Sequence, residues 1–469
     1  MTTPTIGERM IRLFNVYFPG RTLLLALTEG VLSVLTLLAA MCVWFGRDAD
    51  LAILYDHGLL RVLFASTVCV LCMYYYDLYD SFVMRAFREV VSRVVHVLGT
   101  VCIILAVVYY AYPPAQLSRG PVIIWMGLGG VMVLAWRRLY VSLAISSQWR
   151  DRSILLGDGP LAAPLMDEIA RRPEFGLRLV GYVCGQRTLQ GSHSALPCLG
   201  TVEELSEVVQ REEVSCVIIS MGDRRGHLPV EALLSLKMRG VQVQDAPDFY
   251  EALTDKVPVS SLRLGWLLFS PGFEVSNWIL MYKRAASVVL SILGLIVSFP
   301  VMILVAAAIR LDSPGPVIFK QSRIGKGGKL FTLYKFRSMH LKSDDQRPAE
   351  VADGRITRVG QWIRRVRLDE LPQLFNILRG EMHFVGPRPC IPSAEKECAE
   401  KIPFYNQRWT TRPGLTGWAQ IKGGYCSTLD ENTEKLAYDL FYIKHMSIGL
   451  DCLILLHTIK ILLLGRGAR

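Results

Sequence analysis

The chain has 469 residues, 51% of them hydrophobic, with a mean hydropathy of +0.32, which excludes a disordered chain and a small disulfide-stapled scaffold. Lys and Arg number 52 against 41 Asp and Glu. From Arg310 to Arg469 there are 26 Lys and Arg against 16 Asp and Glu, so nearly all of the net positive charge lies in the last third, which should meet anions.

No short apolar region followed by a small-residue cleavage site opens the sequence, so no removable signal peptide is expected. Four apolar stretches follow, Leu23 to Phe45, Leu59 to Leu78, Val90 to Tyr110 and Val122 to Ile145, each near the roughly 20 residues a helix needs to cross a bilayer. They predict a four-helix transmembrane bundle over residues 1–150. Arg9, Arg12 and Arg21, then Arg85 and Arg88, then Arg137, Arg138, Arg150 and Arg152 fall on one side of it, while the other loops hold only Arg47 and Arg119. The excess of positive charge places both ends of the bundle in the cytoplasm. Glu29 is the one acid well inside a span. With no basic partner at helical spacing, it reads as a carboxyl held near the bundle interior by Thr28 or Ser33 rather than as a functional site. Cys69 and Cys72, in apolar surroundings, read as packing thiols.

From Asp151 the pattern changes to short β-rich runs alternating with helical segments, which predicts a Rossmann-like α/β domain over residues 151–262. Strands are expected at Ser153 to Leu156, Leu179 to Val183, Val214 to Ser220 and Val241 to Gln244, with helices at Leu161 to Ala170, Val202 to Arg211 and Leu228 to Arg239. Gly157, Gly159 and Ala162 fit the G-x-G-x-x-A turn that can seat a pyrophosphate. The second strand ends Val183-Cys184-Gly185 without the acid that would hold a ribose, so a sheet kept for regulation, oligomer contacts or scaffolding is preferred to a cofactor site.

A third domain, residues 263–469, opens on the apolar segment Ala285 to Ile309. Lys283 and Arg284 precede it and Arg310 with a strongly basic region follows, so both flanks prefer the cytoplasmic face. The expectation is a re-entrant helix–break–helix, broken at Pro300, with Ser298 capping the backbone groups that the proline frees. Leu450 to Leu464 should lie as a helix in the membrane interface.

Asp369-Glu370-Leu371-Pro372 begins an apolar-periodic segment that reads as a helix with Pro372 in its first turn. Acids at that position are ordinarily caps. Here Arg364, Arg365 and Arg367 precede them, Arg379 closes the helix, and Gly386-Pro387-Arg388-Pro389 holds an arginine between prolines. Guanidinium forks match phosphate oxygens, and adjacent carboxylates amid such charge suit phosphate and Mg²⁺ chemistry. No helix-turn-helix or RNA-recognition signature is present, so nucleic acid is not the expected partner.

Five stretches, Ser313-Pro314-Gly315-Pro316-Val317, Lys335-Phe336-Arg337-Ser338-Met339, Leu368 to Leu374, Val385 to Pro389 and Arg412-Pro413-Gly414-Leu415-Thr416-Gly417, closely resemble, in order, the motifs of the monotopic bacterial sugar transferases. These are also called phosphoglycosyl or polyprenyl-phosphate hexose-1-phosphate transferases. With four spans and a middle domain, the chain is similar to the long, exopolysaccharide-type members. The resemblance implies a mainly helical catalytic domain at a bacterial inner membrane, on the cytoplasmic face. It implies transfer of hexose 1-phosphate from a UDP-sugar to undecaprenyl phosphate, as the initiating step of exopolysaccharide or O-antigen-type glycan synthesis. Asp369 would be the nucleophile of a ping-pong mechanism and Glu370 the Mg²⁺ ligand, with Arg364 on the lipid phosphate and Pro387, Arg388 and Pro389 on the uridine nucleotide. Lys335, Arg337 and Arg412, in matching motifs, complete the expected substrate-binding set. His340 and His383 read as structural or positioning residues, since an ionised aspartate needs no base. The rival readings are a membrane-anchored sugar-nucleotide-modifying enzyme, against which no tyrosine has lysine four positions later, and a non-catalytic scaffold. A homodimer through the bundle or middle domain is a hypothesis at this stage.

Overall fold

The computed structural model describes all residues except 1–9, 14, 56, 81–82, 84–85, 146–150, 173–174, 185–195, 223–226, 263, 341–353, 424–427 and 464–469. Arg9, Arg85, Arg150, Gly185 and Leu464 thus lie outside the described residues. The chain forms two compact units, one of Met1–Ile11 and Tyr17–Ala246 and one of Arg12–Val16 and Pro247–Arg469.

In the first unit, α1 (Gly20–Phe45), α2 (Gly58–Tyr75), α3 (Phe87–Ala111) and α4 (Arg119–Ile145) pack around a shared core that includes Leu37, Met41, Val62, Cys69, Cys72, Val94, Val101 and Trp125. Their outer faces are also apolar, with Val31, Val95, Ile103, Ile123 and Val131 exposed, as expected of helices surrounded by lipid. Glu29 departs from expectation because its partner comes from another helix. Arg137 of α4 grips the carboxylate with two nitrogens, at 2.7 and 2.8 Å, and both side chains are buried. Sequence spacing within one helix could not show a pair 108 residues apart.

The same unit carries a five-stranded parallel sheet. Its strands are β1 (Asp151–Leu156), β2 (Leu177–Cys184), β3 (Cys198–Thr201), β4 (Cys216–Ile219) and β5 (Gln242–Asp245), in the order β3-β2-β1-β4-β5. The helices α5 (Ala162–Arg171), α6 (Leu205–Arg211) and α7 (Val230–Met238) connect them. The central strand β4 and the second half of β1 are continuous, buried apolar runs, as parallel strands covered on both faces must be, with Ile154, Leu156, Val183, Val217 and Ile219 packed on Leu205, Val208, Leu233 and Leu236. The order reverses between β1 and β4, the crevice where such sheets bind ligands. There the chain fills the space itself. A Cβ on Gly157, whose φ is +91°, would meet the Met221 side chain at 2.7 Å, and one on Gly159 would meet the Ser220 carbonyl oxygen at 2.4 Å. The glycines of the G-x-G turn are therefore accounted for by packing of one loop on the next.

The second unit is organised along α8 (Asn277–Asp312), which at 1.5 Å per residue is about 54 Å long. The helix–break–helix expectation is corrected, since helical structure continues through Pro300. A proline removes one backbone bond and crowds the preceding turn, which a long helix absorbs locally without ending. Ser298 does not cap the freed groups, because its hydroxyl points to Met302 Sδ at 3.6 Å. The domain holds α8 at several levels. Near its start, Lys283 bonds Asp451, Tyr442 and the Val385 carbonyl, and Arg284 donates to the carbonyls of Ile377 and Leu378. Midway, Gly294 lies against Leu374. Towards its end, Val305 and Ile309 pack with Phe336 and Ile363. The opposite face leaves Val289, Leu293, Ile296, Val297, Phe299, Ile303 and Leu304 exposed. At the C-terminus, α9 (Ile448–Leu463) buries Leu450 and Ile454, with Lys460 on its buried side, and exposes Leu456, Ile459 and Leu462.

Candidate active site

The site is built where a β-hairpin meets a short helix. Strands β6 (Ile318–Ile324) and β7 (Leu330–Phe336) are antiparallel. Leu333 of β7 packs with Leu374, Ile377 and Met382, so Lys335, two residues on and on the same face, points toward the start of the helix Gln373–Arg379. Asn376 fixes this register. Fully buried, it accepts the Tyr334 amide at 3.0 Å and donates to the Thr332 carbonyl at 2.7 Å and to Glu381 at 2.6 Å. A polar residue in an otherwise apolar stripe was the available signal for it.

Asp369 and Glu370 lie on a 3-10 turn, Leu368–Glu370, entered through Arg367 in the left-handed region at φ 55°. The α-helix proper begins only at Gln373. Leu368 and Leu371 anchor the turn in the cluster around Phe336 and Ile363. Both acids are thereby held in a protein wall with limited exposure. Lys335 Nζ lies 2.9 Å from Glu370 Oε1 and 3.9 Å from Asp369 Oδ2, so one ammonium bridges the pair. Arg388 Nη2 reaches the same Oε1 of Glu370 at 3.3 Å.

The two carboxyls differ electrostatically. Burial raises the pKa of Asp369, the neighbouring Glu370 adds to this, and Lys335, Arg364 and Arg388 offset only part of it. Burial also opposes ionisation of Glu370, but Lys335 and Arg388 overcome it and hold its pKa down to about 2. Glu370 is thus a fixed anion, while Asp369 is a destabilised one, as suits a nucleophile.

Pro387 and Pro389 frame Arg388 in a loop pinned from both sides. The Gly386 amide donates to the Thr416 carbonyl and the Gly414 amide to the Pro387 carbonyl, each at 2.9 Å. A Cβ on Gly386 would lie 2.6 Å from the Arg412 carbonyl oxygen and one on Gly414 2.1 Å from the Gly386 nitrogen, so these glycines let the two motif loops touch. Arg323 donates to the Pro389 carbonyl at 3.0 Å. Below the loop, buried Arg408 joins Glu395, Asp439 and Tyr405.

The structure therefore gathers Asp369, Glu370, Lys335 and Arg388, with Arg364 near enough to act on Asp369. Arg337 is a correction. Buried, it directs its two terminal nitrogens to the carbonyls of Pro314 and Ser313, at 2.8 and 2.6 Å, and to the Ser313 hydroxyl at 2.9 Å, so it closes the loop after α8. Arg412 also stands apart from the dyad, beside His383 Nε2 at 3.5 Å. Asp312, unremarked in the sequence, accepts the Val359 amide at 3.0 Å and so ties the end of α8 to the helix Arg358–Arg365 that carries Arg364.

Among the described residues no cluster of three or more His, Cys, Asp or Glu side chains is placed to hold a metal ion. The dyad nevertheless fits Mg²⁺, which typically takes one or two carboxylates and leaves other positions to phosphate and water. Lys335 and Arg388 both bind Oε1 of Glu370, which leaves Oε2 as an oxygen ligand on an ionised group.

Among the described residues, five helices, α1 with its short extension to Leu54, α2, α3, α4 and α8, are long and apolar enough to cross a membrane. Residues 278–465 match a family model described as bacterial sugar transferase, and residues 75–227 match one described as CoA-binding domain. A UDP-glucose:undecaprenyl-phosphate glucose-1-phosphate transferase of Xanthomonas campestris is 32% identical over 85% of this chain and 86% of its own length. A UDP-N-acetylgalactosamine-undecaprenyl-phosphate N-acetylgalactosaminephosphotransferase of Aeromonas hydrophila is 42% identical over 47% of this chain, and the match spans about half (52%) of that protein. An undecaprenyl-phosphate glucose phosphotransferase of Komagataeibacter xylinus is 37% identical over 67% of this chain and 59% of its own length.

Proposed function

The chain belongs to the bacterial sugar transferase family, and on that premise we propose that it transfers a hexose 1-phosphate from a UDP-sugar to undecaprenyl phosphate with release of UMP. The observation that carries this is the bridging of Asp369 and Glu370 by Lys335, with Arg388 on the same Glu370 oxygen that Lys335 binds. In the first step an oxygen of ionised Asp369 attacks the β-phosphorus and the bond to UMP breaks, leaving a phosphosugar on the aspartate. In the second an oxygen of the lipid phosphate attacks that phosphorus and the aspartate leaves, so Asp369 is regenerated. Both nucleophiles are anions, so neither step needs a base. What each needs is relief from anion–anion repulsion, and Lys335, Arg364 and Arg388 are fixed around the dyad before substrate arrives. Glu370 would hold Mg²⁺, which when bound supplies further neutralisation of phosphate charge. The first four spans, and a catalytic unit on the cytoplasmic face of the inner membrane, complete the reading. The relatives act on both glucose and N-acetylgalactosamine donors, and the sugar is left to the experiment.

The test is UMP release by the full chain in lipid from UDP-glucose, UDP-galactose and UDP-N-acetylhexosamines, with and without undecaprenyl phosphate and EDTA. One equivalent of UMP per site is expected without lipid acceptor and turnover with it, neither of them in Asp369→Asn. Lack of lipid-dependent release from every donor by folded protein overturns the reading. Turnover with no acceptor-independent burst overturns the covalent step, and full turnover in EDTA overturns the role of Mg²⁺.

A further inference from the structure

A cavity of about 360 Å³ lies in the second unit and is bordered by neither Asp369, Glu370 nor Lys335. One side of it is cationic. Lys326, at the exposed tip of the β6–β7 hairpin, and Arg412 both line it, and no acidic residue does. The one hydrogen bond of Arg412 among the described residues goes to a ring nitrogen, His383 Nε2. That imidazole is neutral, since burial and the charges of Lys283, Arg412, Arg284 and Lys326 push its pKa down to about 3. Its Nδ1 lies 3.2 Å from the Ser287 hydroxyl, so the ring is oriented from α8 and presents a lone pair to Arg412. Lys283 and Arg284 are themselves satisfied by a carboxylate and by carbonyls. The guanidinium of Arg412 is therefore aimed and left with donors to spare, and Thr411 adds a hydroxyl to the wall.

The other side is apolar, formed by Phe273, Val275, Leu280 and Met446. Leu280 stands on the first turn of α8 between exposed Trp278 and Met281, just ahead of the apolar run that starts at Ala285. Aromatic and apolar side chains at that level of a membrane helix mark the interface. An anion site with an apolar wall at the interface suits a phosphate that carries a hydrophobic body, and guanidinium forks bind phosphate oxygens well.

We propose that this cavity is a second phosphate site, separate from the dyad, which takes the phosphate headgroup of a membrane amphiphile on Arg412 and Lys326. Thr411 also borders the narrow cleft lined by Pro387 and Arg388, so the two cavities share a wall. The proposal does not depend on the transfer reading, because it concerns binding without UDP-sugar or divalent metal.

The experiment measures thermal stabilisation of the full chain in detergent with EDTA, titrated with dihexanoyl phosphatidylglycerol or with inorganic phosphate. Saturable stabilisation by phosphatidylglycerol is expected, weakened about tenfold in Arg412→Gln and several-fold in Lys326→Gln, as for loss of a charge-assisted contact, and unchanged in Lys335→Gln, which alters the dyad alone. A preference of about tenfold or more for the lipid over inorganic phosphate assigns the site to lipid headgroups. Equal affinity retains the phosphate site but assigns it to soluble phosphates. No saturable stabilisation by either probe, or weakening in Lys335→Gln but not in the cavity variants, overturns the proposal. Should Arg412→Gln fail to fold, Lys326→Gln decides, since Lys326 is exposed.

Discussion

Asp369 and Glu370 are neighbours with opposite electrostatic fates, and the difference makes a prediction at the scale of single residues. Glu370 has a folded pKa near 2 against an ordinary 4.5, so it contributes stability that is present above pH 4.5 and lost as pH falls towards 2. Glu370→Gln should remove on the order of 3 kcal/mol at pH 7, at about 1.4 kcal/mol per pKa unit. Asp369 is shifted the other way, so its ionised form costs stability at neutral pH, and Asp369→Asn should raise the melting temperature while abolishing transfer. Melting curves of both variants at pH 7 check the signs, and a melting temperature lowered alike in both would refute the division of roles. The dyad and Arg388 were legible in the sequence because their motifs are contiguous. The standing of Arg337 was not. Lys335 and Arg337 look alike as a basic pair, but β7 ends at Phe336, and the backbone beyond it turns Arg337 to the carbonyls of Ser313 and Pro314. Only the partners distinguish a substrate ligand from a loop clasp, and those lie some two dozen residues away in the chain.

At the scale of elements, local periodicity carried most of the fold. The four long helices, the middle strands and the helix after the dyad are each announced by apolar spacing. What escaped was set by tertiary contact. Strand β3, Cys-Leu-Gly-Thr, has no alternation of its own and exists because β2 offers an edge. Pro300 suggests a helix end, yet packing on both sides of it keeps α8 helical. Glu29 and Arg137 were read apart, one as an isolated acid and the other as a topogenic charge, and they form a buried bidentate pair between α1 and α4. Arg137 also donates to the Leu78 carbonyl and sits 5.3 Å from the Tyr79 ring centroid, so the pair ties two helices to the segment after α2. Glu29→Ala should leave an uncompensated buried guanidinium and cost about 3 to 5 kcal/mol. The double variant Glu29→Leu/Arg137→Leu should restore much of that, because the charges then leave together. Denaturation of the purified variants in detergent decides, and a double variant as unstable as Glu29→Ala would show that the cost lies in losing the pair itself and not in the charge left behind.

For the whole molecule the central question is whether α8 crosses the bilayer. A helix of about 54 Å is long enough to pass a hydrocarbon core of roughly 30 Å. Length alone favours crossing, but attachment argues against it. Lys283 and Arg284 near one end and Val305 and Ile309 near the other are bound to the same domain. Crossing would require either stripping Val305 and Ile309 from Phe336 and Ile363 or carrying Lys335, Arg388 and the dyad through lipid, and the charges alone make the second route prohibitive. The expected arrangement is that lipid covers the exposed apolar strip from Val289 to Leu304 while both ends of the helix stay on one side. Trp278 and Leu311, 66% and 88% exposed, bracket it. In a background where Cys42, Cys102, Cys198 and Cys452, exposed among the described residues, and Cys426, which lies outside them, are replaced by serine, Trp278→Cys and Leu311→Cys should both react with a membrane-impermeant maleimide in inside-out vesicles. Neither should react in sealed right-side-out ones. Labelling of the two positions from opposite sides would make α8 a fifth span and would overturn the argument from its attachments.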